Sequence, residues 1–225
     1  MMKLLRRERL LVVNFEETQA VLSWAVCGGG FVLSRTAAWC RVASEELGTS
    51  VSPREFLRNK LAQAGIGGDA VGMLTSADLD GYIDIEKSSS GFSARVIATV
   101  GMTNALRVGD LPSREIHAGT INLLCAVSAR MTKEALIEAV SIAAEARTAA
   151  VLESGILSGE TGLPATGTGT DCIVLAAPVA PLEAEPIEYA GKHTLAGSLI
   201  GQSVFEAIRA GTESWRIKNQ NDSVF

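Results

Sequence analysis

The sequence predicts an α+β fold: a single-domain α/β sandwich with a mixed, mostly antiparallel sheet and about three main helices. Three observations carry this. Strand-like runs follow one another early in the chain with no helix between them, whereas a doubly wound parallel sheet alternates strand and helix. Two later runs read as an antiparallel hairpin. The helical stretches, finally, bring their own start and stop signals.

Taken in order, apolar strand-like runs occupy residues 10–15, 18–26 and 31–42. A helix then starts at Ser52-Pro53-Arg54-Glu55, a capping box in which Ser52 accepts from the Glu55 amide and Glu55 reaches back. Pro53 takes the first helical position, where its missing N–H costs nothing. Phe56, Leu57, Lys60, Leu61 and Ala64 follow at helical spacing, and Gly65 ends the run. Residues 82–87 and 92–100, joined by Ser88-Ser89-Ser90-Gly91, form the hairpin. After a strand at 120–127, a second helix runs from Thr132 through an alanine-rich stretch to Leu152, with Leu136, Val140 and Ala143 on one face and Gly155 as its stop. A strand at 172–179 precedes the third helix, predicted from Leu195 to Ala210 with Gly211 beyond it. Gly197 and Gly201 on that helix let another backbone come close. No repeat or linker divides the chain, so the expected domain covers 1–217, with a polar tail at 218–225.

Composition excludes several function classes. The chain has 225 residues, 47% hydrophobic and 20% charged, which is globular rather than disordered. A net charge of −5, with no basic run beyond Arg6-Arg7, argues against nucleic acid as a partner. No apolar run approaches a membrane span. Lys3, Arg6, Arg7 and Arg9 precede too short an apolar stretch for a signal peptide, so the expected location is cytoplasmic. The cysteines Cys27, Cys40, Cys125 and Cys172 form no C-x-x-C pair, and only His117 and His193 are there to complete a metal site. Buried reduced thiols are expected, and no metal.

The unusual feature is a series of small, glycine-rich polar turns beside apolar runs. They are Gly28, Gly29 and Gly30; residues 72–78 with Thr75; 99–105 with Thr103 and Asn104; and 119–122 with Asn122. The two densest are 165–171 (Thr166, Gly167, Thr168, Gly169, Thr170, Asp171) and 189–194 (Lys192, His193, Thr194). Glycine permits close approach to a ligand, and Thr, Asn and backbone amides supply hydrogen bonds. A single such turn is ordinarily a connector. Converging at strand ends, they would line a polar pocket. Known phosphate loops fail: 166–171 leads into a strand rather than a helix, and Pro186 stands where a Walker loop needs glycine. Asp171 is either a turn cap or a held catalytic acid. His193 stands before a helix N-terminus whose field favours neutral imidazole, the general-base form. His117 is read as structural.

On these blocks the chain resembles the adenosylcobinamide amidohydrolase (CbiZ) family: T-G-T-G-T-D at 166–171, G-K-H-T at 191–194, and the earlier glycine turns in the same order over about 25–201. The resemblance implies a corrinoid-salvage hydrolase that cleaves the amide between a corrin propionate and aminopropanol, giving adenosylcobyric acid. Cobalt then belongs to the substrate and no protein cofactor is implied. Within that chemistry His193 is assigned as base or acid, Asp171 as its orienting partner, and Lys192 to the oxyanion or to a phosphate or propionate. Asn104 and the amides near Gly167 and Gly169 are assigned as oxyanion donors, with Thr166, Thr168 and Thr170 as hydrogen bonders or one of them as nucleophile. Gly28, Gly29, Gly30, Thr75, Thr103 and Asn122 complete the substrate-binding set. The nucleophile stays open between threonine and water, as do the preferred corrinoid and a homodimer. Two alternatives stand beside this: a non-catalytic corrinoid-binding protein, and a different amidohydrolase or acyltransferase with a Thr nucleophile.

Overall fold

The computed structural model describes residues 2–43, 46–47, 51–111, 119–180 and 185–222, with side chains as far as Asn219. The first part holds β1 (Met2–Arg7), β2 (Leu10–Ser23), β3 (Gly30–Arg41), α1 (Pro53–Gln63) and β4 (Val71–Thr75). The middle holds β5 (Ile83–Ser89), β6 (Phe92–Val100), β7 (Ala105–Leu106) and β8 (Ile121–Val127). Then come α2 (Lys133–Glu153), β9 (Gly167–Thr168), β10 (Cys172–Pro178) and α3 (Leu195–Asp222).

Local signals account for the helix starts. Ser52 Oγ accepts from the Glu55 amide at 3.4 Å and Thr132 caps α2 by accepting from the Ala135 amide at 3.1 Å. α1 ends in a Schellman turn: Gly65, at φ +74°, donates to Ala62 O, and the Ile66 amide donates to Leu61 O at 2.9 Å. In the β5–β6 hairpin Ser89 pairs with Phe92, so only Ser90 and Gly91 turn the chain, both at positive φ.

The main sheet runs β4-β3-β2-β10-β8-β6-β5, with β1 added beside β2. The ladders β10–β8 and β3–β4 are parallel and the remaining ladders of this sheet antiparallel. Residues 10–26, expected as two strands, instead hold one long strand, β2, over Leu10–Ser23, with a register shift against β3 between Asn14 and Gln19. The exposed Glu16 and Glu17 sit in that irregular stretch, and the strand bends there instead of ending. Its first half pairs with β1 and its second with β10, which folds the sheet back on itself.

Alternation along the strands then builds the layers. Val96, Ala98, Leu123, Cys125, Ile173 and Leu175 face α2 and α3. Their neighbours Ile97, Leu124 and Val174 face Leu11, Val13, Ala37 and Trp39 of the folded-over half. The outer side of that half, Leu10, Val12, Ala38 and Cys40, is covered by Leu57 and Leu61 of α1. Alanines at 135, 139, 143 and 150 keep α2 close against the sheet.

Two sequence expectations change. α3 does not stop at Ala210 but passes through Gly211 to Asp222, so the first part of the expected polar tail is helical. Gly211 is there for packing: a Cβ on it would lie 2.9 Å from Val100 Cβ. Lys218, in the extension, reaches Asp78 at 3.0 Å. Of the two helical glycines, Gly197 meets a backbone, with Gly191 C 2.7 Å from its ideal Cβ, while Gly201 meets only the Ile142 side chain.

Candidate functional site

Strand pairing decides which turns meet. β8 and β10 are parallel with Cys172 opposite Asn122, so the segments leading into both strands lie side by side. β6 is antiparallel to β8, with Val100 opposite Ile121, and delivers residues 101–104 to the same end. β2 is antiparallel to β10, with Ser23 opposite Val174, and brings Trp24 there too. Three of the polar turns, joined by Trp24, thus converge at one end of the sheet.

Asp171 is the hub of this cluster. Its carboxylate accepts from Arg147 Nη1 at 2.5 Å, from the Thr168 amide at 3.1 Å, from the Ile121 amide at 3.2 Å and from the Thr168 hydroxyl. Its carbonyl accepts from the Trp24 indole at 2.6 Å. Arg147 also donates to Thr166 O at 3.0 Å, tying the turn to α2. Burial pushes the Asp171 carboxyl above its usual range, while Arg147 and the Thr168 and Ile121 donors pull the other way. With a cation and three further donors on it, this carboxylate braces the turn.

Around the hub, Thr120 donates to Thr170 O at 2.8 Å and Thr170 donates to Gly119 O at 3.4 Å. The buried Asn122 donates to Leu74 O at 2.7 Å, drawing the turn after β4 to this end, where Thr75 accepts from the Ala77 amide at 3.1 Å. Thr166 accepts from the Val108 amide at 2.8 Å. The backbone of Asn104 accepts from the Gly169 amide at 3.2 Å, and its Nδ2 lies 2.7 Å from where a Cβ on Gly169 would stand. Gly119 has the Thr103 amide 3.0 Å from its own ideal Cβ position. Among the described residues the Asn104 side chain makes no hydrogen bond, Thr103 is exposed, and two buried polar atoms, Thr99 Oγ1 and Arg147 Nε, have no partner. Gly28 and Gly29 lie nearby: Cys27 pairs with Gly72, two residues before Leu74, and Gly30 pairs with Ser23.

Lys192 and His193 are elsewhere. Asp171 precedes β10, whereas His193 precedes the end of α3 that lies at the other end of the sheet: Ser203 donates to Ala94 O, opposite Val127, and Gly211 packs on Val100, opposite Ile121. The 185–194 segment bonds at the far end: Ile187 bridges Met131, just past β8, and the Ala190 amide donates to Glu138 at 2.7 Å. Glu138 lies nine residues before Arg147 on α2, about 13 Å along the axis. Lys192 pairs with Glu145, both side chains more than half exposed, and a pair so solvated holds little. His193 is exposed and makes no hydrogen bond among the described residues. The pairing of His193 with Asp171 is therefore not made; Arg147 occupies that place. Thr194 is the cap that the sequence indicates, accepting from the Gly197 amide at 2.9 Å. His117 lies outside the described residues.

Arg147, Trp24 and Thr120 belong to the cluster and were not singled out from sequence. Arg147 had a signal: it is the sole basic residue between Glu134 and Glu153 in an alanine-rich helix, where an isolated cation needs a partner. Among the described residues no three His, Cys, Asp or Glu side chains gather as a metal site requires, and no helix is long and apolar enough to cross a membrane. The cysteines are free thiols, and burial pushes Cys125 and Cys172 up to about 12.

Residues 1–220 match the profile of a family described as adenosylcobinamide amidohydrolase. An adenosylcobinamide amidohydrolase of Methanosarcina mazei is 30% identical over 169 residues, covering 72% of this chain and 76% of that one. One from Halobacterium salinarum is 30% identical over 172 residues, covering 72% and 68%. An uncharacterized protein of Methanocaldococcus jannaschii is 28% identical over 178 residues, covering 69% and 68%. The chain belongs to the adenosylcobinamide amidohydrolase (CbiZ) family.

Proposed function

We propose that this chain, by its family a hydrolase acting on an amide C–N bond, takes adenosylcobinamide as substrate, that the bond cut joins a corrin propionate to aminopropanol, and that the corrinoid product is adenosylcobyric acid. The observation that carries this is the family match over nearly the whole chain, including every turn of the cluster. A corrin is broad and rimmed with amides, and a strand end lined by Thr103, Asn104, Gly169 and Thr170 offers matching donors and acceptors without bulk. Cobalt enters with the substrate, and no resident cofactor is part of the reading.

Within this reading Asn104 is the oxyanion donor, since its amide makes no hydrogen bond among the described residues and occupies the space left by the missing side chain of Gly169. Water is the nucleophile: the hydroxyls of Thr166, Thr168 and Thr170 are already engaged, and Asp171 is committed to Arg147. Asp171 and Arg147 hold the turn in register.

The test is incubation with adenosylcobinamide, with aminopropanol and adenosylcobyric acid followed by mass spectrometry. Equal release of both is expected. Tight binding without release would make the chain a corrinoid carrier instead. Intact mass of acid-quenched protein is expected to be unmodified, and a corrinoid adduct on a threonine would replace water as the nucleophile.

A further inference from the structure

A cavity lies beside the glycine triplet, between α1 and the segment leading into β4. Its volume is about 210 Å³, and its walls include Gly28, Gly29, Arg54, Arg58, Gly67 and Gly68. Arg54 and Arg58 are one turn apart on α1 and so share a helix face. Neither guanidinium has an ion-pair or hydrogen-bond partner among the described residues. The amides of Gly28, Gly29, Gly67 and Gly68 likewise make no backbone hydrogen bond there.

The lining contains no carboxylate. Two acids adjoin lining residues in sequence, Glu55 and Asp69, and neither is part of the lining; Asp69 Oδ1 lies 2.8 Å from the position of a Cβ on Gly67. Cys27 at the floor donates to Arg54 O at 3.6 Å. Burial pushes its thiol up while Arg58 and Arg54 pull it down, so both cations bear on the same lining residue. On a chain of net charge −5, two unpaired arginines held beside four unpaired amides are a local reversal of sign. Guanidinium forks and glycine amides together match a tetrahedral oxyanion with several acceptor oxygens.

We propose that this cavity binds a phosphate group. Two sources share that chemistry: a phosphate esterified to the substrate's amino-alcohol arm, or a separate phosphate ligand. The first source rests on the function proposed above; the site itself does not. The cavity is well placed for the first, because Cys27 pairs with Gly72 and Leu74 accepts from Asn122 of the cluster. Two residues of strand separate these contacts, about 7 Å, which is within the span of a macrocycle and its side arm.

The test begins with inorganic phosphate titrated calorimetrically into the full chain at low ionic strength. Saturable one-site binding is expected, weakened at least tenfold in the Arg54→Gln/Arg58→Gln double variant, whose two side chains are exposed and whose fold is checked by circular dichroism. Absence of saturable binding, or equal binding by the variant, overturns the proposal. A kinetic arm compares adenosylcobinamide with its phosphate monoester. A KM raised at least tenfold in the double variant for the monoester alone, with kcat unchanged, assigns the phosphate to the substrate. Unchanged KM for both substrates, with phosphate binding lost, assigns it to a separate ligand. If neither corrinoid is hydrolysed, the proposed function fails while the phosphate titration still decides the site.

Discussion

Replacing Gly167 with alanine isolates what the Asp171 brace contributes. The new Cβ would overlap Arg147 Nη1 and Asp171 Oδ2 and stand 3.2 Å from Arg147 Cζ. Gly167 is not among the positive-φ glycines, so the backbone accepts alanine and the cost is steric. The turn is tied to its neighbours on both sides, so the guanidinium must leave. The side chains of Arg147 and Asp171 are only 16% and 7% exposed, so water neither screens the pair much nor takes over its role. Parting a buried ion pair by displacing one member costs about 3–5 kcal/mol. For a domain of this size each kcal/mol is worth roughly 2–4 °C in Tm, so a drop of roughly 6–20 °C is expected. Reversible urea unfolding measures it directly. Gly159→Ala is the control: nothing lies within 4 Å of its ideal Cβ, and its effect is expected within about 0.5 kcal/mol. In an Arg147→Met background the Gly167→Ala cost should shrink, by a coupling of about 2 kcal/mol. A Gly167→Ala protein within about 1 kcal/mol of wild type would refute the brace.

Other substitutions probe the remaining assignments. Asn104→Ala is expected to lower kcat by roughly 10²–10³, as loss of an oxyanion donor does, while His193→Ala stays within about twofold; the reverse ranking in a steady-state assay would return the chemistry to His193. Arg9, then the Ala43 amide, holds the Glu46 carboxyl at about 2, down from 4.5. Because the folded value is the lower one, this contact contributes fully above pH 4.5 and is lost as pH falls toward 2. A carbon-detected NMR titration should show that midpoint, and Arg9→Met should return it to the ordinary range. Native-state labelling with a thiol reagent should modify Cys27 alone, since Cys40, Cys125 and Cys172 are buried; prompt labelling of Cys125 would contradict the packing of β8. Gly197→Ala, whose Cβ would strike the Ala190 and Gly191 carbonyls, should destabilise by about 1–3 kcal/mol in urea.

Much of this architecture is written in short-range chemistry. Ser52-Pro53 and Thr132 are helix starts in any context, because a side-chain oxygen three residues from a free amide needs no tertiary help. The 88–91 turn marks its hairpin for the same reason, and the succession of early strands points to an α+β sandwich. The list of polar turns was also legible as residue types, since glycine beside threonine and asparagine is visible without a fold.

Which turns meet was decided only by strand direction and register. Asp171 and His193 lie 22 residues apart in sequence, yet one precedes β10 and the other the start of α3, which places them at opposite ends of the sheet. Arg147, from a helix with no other cation in its middle, takes the position that the sequence reading gave to histidine. Gly211 looks like a helix stop until Val100 is seen against it, and residues 10–26 look like two strands until β1 and β10 are seen sharing one. Caps and turns are set by neighbours within a few residues of chain, whereas the partners of a buried carboxylate are set by ladders that bring distant segments together; the first kind of information is carried locally by the sequence, and the second exists only once the sheet has closed.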